Sequence, residues 1–234
     1  MFAKKTRLKI RTFHRWIGPI IGVQLSIWVV TGVYFAWISI GSIKGDDKKV
    51  KVDPSPISLG ELISPKDLAI PPGFLVKVVK LESTPMGVVY RVDALTEEVL
   101  VFDARTGTAL PHLTLESARS LGKAQVTIQS QVLEGALVTE KGGEYKGPVP
   151  AYRIVFDDLL STRLYLDPWT GKLIVQRNLL WRVYDFMWML HIMDYTEREN
   201  FNNIWIKAVS LGGLSIIVTG YLLFLFGRFN RRRT

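Results

Sequence analysis

The sequence predicts an α+β membrane protein in which two transmembrane helices flank an α+β domain. Two apolar runs, 17–40 and 204–226, contain a single charged residue between them, Lys207. Each run is long enough to cross a bilayer, because about 20 helical residues span its hydrocarbon core. The chain between the runs is rich in short, Val-containing stretches separated by turn residues, a pattern typical of β-strands.

The distribution of charge predicts the orientation of both helices. The first fifteen residues contain six Lys or Arg and no acidic residue, and the last seven contain four Arg. Without these ten, the chain has 20 basic against 21 acidic residues. Because the excess basic residues lie just outside the apolar runs, we expect both termini on the cytoplasmic side. A nucleic-acid partner is not expected, since it would need a basic folded surface.

Seven segments follow from these observations. They are a basic N-terminus (1–16), a first transmembrane helix (17–40), a polar linker (41–56), an α+β domain (57–178), an interfacial helix and turn (179–203), a second transmembrane helix (204–227) and a basic tail (228–234). A signal peptide is the alternative for the first run, but its apolar region usually has only about 7–15 residues. A third span over 179–195 is rejected, because it would bury Arg182 and Asp185 in lipid.

The central domain contains an internal repeat. We expect strands near 75–81, 87–92, 99–102, 135–140, 151–156, 163–166 and 173–176, and helices near 59–68 and 114–123. In each half, a Tyr-Arg pair leads through two strands to Asp-x-x-Thr-Gly, at 90–107 and 152–171. Gly107 and Gly171 should adopt positive φ and close the turns, which we interpret as structural rather than catalytic.

A short apolar segment, 181–195, links this domain to the second run. It is apolar almost all round a helix, but about 15 residues are too few to span a bilayer. We expect it at the outer membrane surface, roughly along that surface. Tyr184, Trp188 and His191 share one face, which should turn toward the first span or a partner.

Several short motifs occur in a fixed order along nearly the whole chain. They are His14-Arg15-Trp16-Ile17-Gly18, Thr31-Gly32, Tyr152-Arg153, the stretch 163–168 followed by Thr170-Gly171, Leu190-His191, and Thr219-Gly220. In order and spacing they resemble the PepSY-domain membrane proteins, specifically the PepSY-associated transmembrane group. The resemblance implies an inner-membrane protein whose periplasmic domain consists of two PepSY-like halves.

The same resemblance implies a function. Relatives in this group look like membrane redox proteins that reduce ferric iron or siderophore complexes through b-type haems held by helix histidines. We therefore expect a subunit of, or accessory to, such an electron-transfer system, with His14 and His191 as candidate haem ligands. The alternative is a non-redox, membrane-anchored PepSY module that regulates or assists a periplasmic peptidase or another secreted partner.

The positions of the two histidines constrain how haem would be bound. His14 is expected at the cytoplasmic end of the first span and His191 on the outer side, about 30 Å away. They cannot ligate one haem within a single chain, since low-spin haem takes ligands on opposite faces of one ring. Besides the bilayer, the expected partner is a second copy or another membrane subunit.

Other interpretations of these residues stay open. Met187 and His191, one turn apart, suit a single small ion such as Cu(I). Without a cofactor, His14 is an interfacial residue, and His191 pairs with Asp185 or Asp194.

Helix packing and the absence of enzyme motifs complete the prediction. Gly18 and Gly22 form a small-xxx-small pattern that could join the two spans to each other or to a partner.

The chain has no cysteine, which excludes disulfides, thiolate nucleophiles and iron–sulfur clusters. It also lacks the usual hydrolase and nucleotide-binding motifs, so no catalytic residue is predicted.

Overall fold

The computed structural model describes residues 2–50, 57–96 and 98–231, with side chains from residue 5 to residue 228 within those ranges. The end of the predicted linker (51–56) and the last residues of the basic tail (232–234) lie outside the described residues.

Two long apolar helices, one at each end of the chain, flank two small antiparallel sheets, which confirms the predicted α+β class. The elements in order are α1 (Phe2–Trp37), α2 (Ile40–Lys44), β1 (Val76–Thr84), β2 (Gly87–Ala94), β3 (Val99–Asp103), α3 (Leu115–Ala124), β4 (Val132–Val138), β5 (Ala151–Phe156), β6 (Arg163–Leu166), β7 (Leu173–Arg177), α4 (Leu179–Ile192) and α5 (Ile204–Arg231). The chain divides into a helical unit, Met1–Ile40 with Arg182–Thr234, and a sheet unit, Gly41–Trp181.

In the helical unit, α1 and α5 pack against each other in opposite directions. His14 lies beside Thr219 and Gly220 near the start of α1, and Ile21 lies beside Gly212 further along it. Over Lys5–Trp37 and Ile204–Arg228, the two helices are long and apolar enough to cross a membrane.

The helix boundaries differ from those predicted. α1 begins at Phe2, so the basic segment before residue 17 belongs to the same helix, and it ends at Trp37 rather than residue 40. Lys and Arg are good helix formers, and the helix continues into the apolar run through Pro19. The predicted linker also begins with a helical turn, α2.

The glycines that allow close helix contact are on α5, not on α1. A Cβ atom added to Gly212 would lie 2.7 Å from Ile21 Cδ1, whereas one added to Gly18 or Gly22 would meet nothing within 4 Å in the described part of the chain. The prediction that Gly18 and Gly22 join the two spans to each other is therefore wrong. Contact of this face with a partner stays a prediction.

The sheet unit contains one sheet from each half of the repeat. The first has the order β1-β2-β3 and the second β4-β5-β6-β7, with all neighbours antiparallel. All seven predicted strands are present. α3 packs on the second sheet over a core that includes Ala118, Ile154 and Leu164, and Thr114 caps it by accepting from the Ser117 N–H. The helix predicted at 59–68 is instead two 3₁₀ turns, Leu59–Glu61 and Pro65–Asp67.

The two halves have matching internal hydrogen bonds, which supports the repeat. The Tyr90 hydroxyl donates to the carbonyl of Ile63, and the Tyr152 hydroxyl donates to that of Leu113. Each Asp-x-x-Thr-Gly turn is held by its first residue, whose carboxylate accepts backbone N–H groups of the turn. The closing glycines have φ of +74° at Gly107 and +67° at Gly171, which confirms the predicted turn geometry.

Candidate functional site

His191 lies in the last turn of α4, in an aromatic cluster within the helical unit. On α4, the Trp188 ring stacks nearly parallel to the rings of both Tyr184 and His191, with centroids 6.3 Å apart in each pair. Phe35 of α1 contacts all three rings at 5.0–6.1 Å. The predicted face of α4 therefore turns toward the first long helix.

The orientation of α4 is set by side chains of α1 that satisfy its C-terminal carbonyl groups. A helix leaves its last four carbonyls without partners in the helix itself. Gln24 donates to the carbonyl of Leu190 at 3.0 Å, and the indole N–H of Trp28 donates to that of His191 at 2.7 Å. Asn203 donates to the carbonyl of Ile192. These bonds hold the end of α4 against the side of α1.

The contacts pair the start of α4 with the end of α1. Tyr184 lies against Phe35, and His191 lies against Thr31 and Trp28. Phe35 also contacts Trp188 and His191. The placement of α4 at the outer membrane surface, roughly along that surface, stays a prediction.

His191 is hydrogen-bonded to Thr31 of α1. His191 Nδ1 lies 2.7 Å from Thr31 Oγ1. The threonine hydroxyl is also 2.9 Å from the carbonyl of Ile27, one turn earlier, and it has one hydrogen to donate. Where that hydrogen goes to Ile27, the Thr31 oxygen accepts from Nδ1–H, and Nε2 is the basic nitrogen of the neutral ring. Where it goes to Nδ1, Nε2 carries the proton.

His14 repeats this arrangement near the other end of α1. Its Nδ1 lies 2.9 Å from Oγ1 of Thr219 on α5, whose hydroxyl donates to the carbonyl of Ser215 at 2.8 Å. His14 Cε1 lies 3.3 Å from the position that a Cβ atom would take at Gly220, so glycine leaves room for the ring. In the described part of the chain, neither His14 nor His191 has a hydrogen bond through Nε2.

His14 and the residue that His191 contacts, Thr31, lie far apart along α1. Thr31, which binds His191, follows His14 by seventeen residues, or about 25 Å of helix. Each location therefore provides one imidazole. Among the described residues, no group of three or more His, Asp or Glu side chains is positioned to hold a metal ion. Met187 remains one turn from His191 on α4, and the copper site stays a prediction.

The acidic residues near His191 have other partners. Asp185 forms an ion pair with Arg198. Asp194 accepts hydrogen bonds from the backbone N–H groups of Thr196, Glu197, Glu199 and Asn200. The Asn200 N–H, followed by that of Glu199 and the Thr196 side chain, lowers the pKa of Asp194. The interpretation that His191 pairs with Asp185 or Asp194 is therefore wrong.

The loop after α4 is held tightly although its backbone is unfavourable in two places. Met193 and Arg198 have φ of +56° and +62°, a region that residues with a Cβ atom seldom adopt. The Trp188 indole donates to the carbonyl of Arg198 at 3.1 Å, which ties the loop to the aromatic cluster. Such strain persists only where surrounding contacts over-determine the conformation.

The sheet unit contains a cleft of about 1280 Å³ between the two halves of the repeat. Arg91 from the first half forms a largely buried ion pair with Asp167 of the second at 2.7 Å, and its guanidinium lies over the ring of Trp169. His112 is exposed and meets the Trp169 ring edge-on at 4.5 Å. Phe74 also lines the cleft. The lining thus combines apolar side chains with ion-paired ones.

The sequence pointed to only some of these residues. It identified both histidines, and it identified Thr31 and Thr219 as members of short motifs. It did not identify Gln24 or Trp28 as hydrogen-bond donors to the carbonyl groups of α4. A usable signal was present, because Gln24 is an amide in the middle of an uncharged run, and polar side chains in such runs are usually functional.

Comparison of the chain with protein-family models, with curated proteins and with solved structures found no match.

Proposed function

We propose that this protein is a membrane-anchored haem b subunit of an electron-transfer system that reduces ferric iron or its siderophore complexes. His14 and His191 are the proposed haem ligands. The observation that supports the proposal is the pair of histidine–threonine hydrogen bonds, which orient both rings through Nδ1 and leave Nε2 of each without a hydrogen bond in the described part of the chain. Metal-binding histidines commonly donate their second ring N–H to a fixed acceptor, which sets the tautomer and orientation.

The residues at both locations fit an axial ligand. A bound haem would supply one-electron chemistry. The chain would supply a neutral imidazole at each end of α1, with Thr31 or Thr219 orienting the ring. Around His191, the rings of Phe35 and Trp188 would also keep water from the ligand. Because the two histidines are about 25 Å apart along α1, the second ligand at each location must come from a second copy or another subunit.

The proposal includes an arrangement in the membrane. α1 and α5 would cross the inner membrane with both termini cytoplasmic, and the PepSY-like sheet unit would lie in the periplasm. The basic residues at the start of α1 and in the tail support this orientation. Reporter fusions after Gly45 and after Thr234 should report outside and inside, respectively. An external C-terminus would contradict the topology.

An optical spectrum of the purified full-length protein tests the haem assignment. We expect a Soret band and split α and β bands on reduction, which His14→Ala and His191→Ala should each weaken. The matched control is His112→Ala, which removes the third histidine of the chain from the cleft of the sheet unit. Colourless protein from cells supplied with haem would contradict the proposal, as would equal loss of colour in the control.

The cleft favours a second candidate, a non-redox PepSY module that binds a periplasmic peptidase or another secreted partner. Its volume of about 1280 Å³ is large enough for several side chains of a bound segment. In that case the protein should be colourless. Replacing Phe74 with Arg in the cleft wall should weaken inhibition of the peptidase, whereas His191→Ala should not.

A further inference from the structure

Three arginines form a stripe along the first turns of α1. Arg7, Arg11 and Arg15 are four residues apart, so they lie one above another on the helix surface. The neighbouring cations Lys5 and Lys9 are about 120° and 160° around the helix from Arg11. Arg11 and Arg15 are exposed, and Arg7 is partly exposed.

The register of α1 and α5 places this arginine stripe level with an apolar part of α5. His14 is level with Thr219 and Gly220, and Ile21 is level with Gly212. Because the helices run in opposite directions, the residues of α1 before His14 lie beside the residues of α5 after Gly220. There, Tyr221 and Phe224 are 64% and 60% exposed. The stretch 208–227 of α5 contains no charged residue at all.

No acidic residue of these two helices can neutralise the stripe. Neither α1 nor α5 contains an Asp or Glu. Among the described residues, none of the three arginines has an ion pair with another side chain. The Arg15 guanidinium carbon lies 5.8 Å from the centroid of the Trp16 ring. The stripe can therefore pair with anions from outside the chain.

We infer that the arginine stripe binds the headgroups of anionic phospholipids, whose acyl chains cover the aromatic end of α5. A guanidinium group pairs with phosphate oxygens through two parallel hydrogen bonds, which a Lys ammonium cannot do. Exposed Tyr and Phe beside cations also suit the boundary between headgroups and acyl chains. This inference rests only on the membrane crossing in the proposed function and is independent of haem.

Lipid retention measured by native mass spectrometry tests the inference. Membranes that contain the full-length protein are first washed at alkaline pH. Release of the protein from these membranes would contradict the membrane crossing itself. The membrane-bound protein is then transferred into mixed micelles of dioleoyl phosphatidylglycerol and dioleoyl phosphatidylcholine. We expect preferential retention of the anionic lipid, and about a tenfold weaker preference in Arg11→Gln/Arg15→Gln.

A matched control separates a site from bulk charge. Lys5→Gln/Lys9→Gln removes the same charge from the other side of α1 and should change the preference much less. Retention of both lipids in equal amounts would overturn the inference, and so would an equal loss in the lysine variant. Inorganic phosphate at the same concentration should not displace the lipid; if it does, the site binds phosphate without its acyl chains and the lipid assignment fails.

Discussion

The imidazole of His191 is hydrogen-bonded to Thr31 across two helices, with 2.7 Å between Nδ1 and Oγ1. The threonine hydroxyl also lies 2.9 Å from the carbonyl of Ile27 in its own helix. The same relationship between His14 and Thr219 occurs about 25 Å away along α1. The proposed ligand role rests on these two pairs.

Thr31→Val should weaken cofactor binding at His191 without displacing α4. Valine keeps the shape of threonine but removes the oxygen that accepts from Nδ1–H. Loss of such a supporting hydrogen bond lowers affinity for a bound metal about 10–100-fold. Haem titration monitored by absorbance would measure this, and Thr219→Val should act likewise at His14.

Ser26→Ala is the control for these two variants. The Ser26 hydroxyl also donates to a carbonyl of its own helix, that of Gly22. In the described part of the chain, no histidine is hydrogen-bonded to its oxygen. It should leave both absorbance and affinity unchanged. Unaltered affinity in Thr31→Val and Thr219→Val would show that these bonds serve helix packing alone.

Gly212→Val should separate α1 from α5, whereas Gly18→Val should not. A Cβ atom at Gly212 would press against Ile21 at 2.7 Å, and overpacking of this kind costs about 1–3 kcal/mol. The same addition at Gly18 meets open space in the described part of the chain. Thermal unfolding in detergent measures the difference. Equal destabilisation would contradict the helix register, and a change of oligomeric state in Gly18→Val alone would locate a partner on that face.

The strands and turns of the sheet unit could be predicted because their signals are local. Val-rich segments such as 99–102 form strands, and Gly107 and Gly171 close turns that need positive φ. The helical start of α1 was not predicted from the sequence. Its Lys and Arg residues indicated an exposed tail, although they also favour helix formation.

The histidine–threonine pairs could not be predicted, because they depend on the register between helices. Sequence periodicity shows which residues share a face of one helix, but not which faces meet. Contact of Ile21 with Gly212 sets that register, and with it the position of Thr219 beside His14. The end of α4 depends in the same way on Gln24 and Trp28, which lie more than 160 residues earlier in the chain.

Acidification should loosen the loop that follows α4. Backbone N–H groups lower the pKa of Asp194, so its folded-state pKa is below the unfolded value of about 4. The stabilisation is therefore complete above about pH 4 and is lost as the pH falls through the folded-state pKa. The protection factors for hydrogen exchange at Glu199 and Asn200, relative to the intrinsic rate at the same pH, should fall in acid. Asp194→Asn should exchange fast at neutral pH as well, and pH-independent protection in the natural chain would contradict this assignment.

Gly171→Ala should destabilise the sheet unit more than Gly143→Ala does. Both glycines have positive φ, +67° and +56°, so either substitution strains the backbone by about 1 kcal/mol. At Gly171 the new Cβ atom would also lie 2.6 Å from Leu121 Cδ1, whereas at Gly143 it would meet nothing within 4 Å in the described residues. We therefore expect an additional loss of about 1–3 kcal/mol at Gly171, measured by denaturant unfolding of the full-length protein in detergent. If the two variants lose equal stability, Leu121 can move aside, and only the backbone conformation of the turn requires glycine.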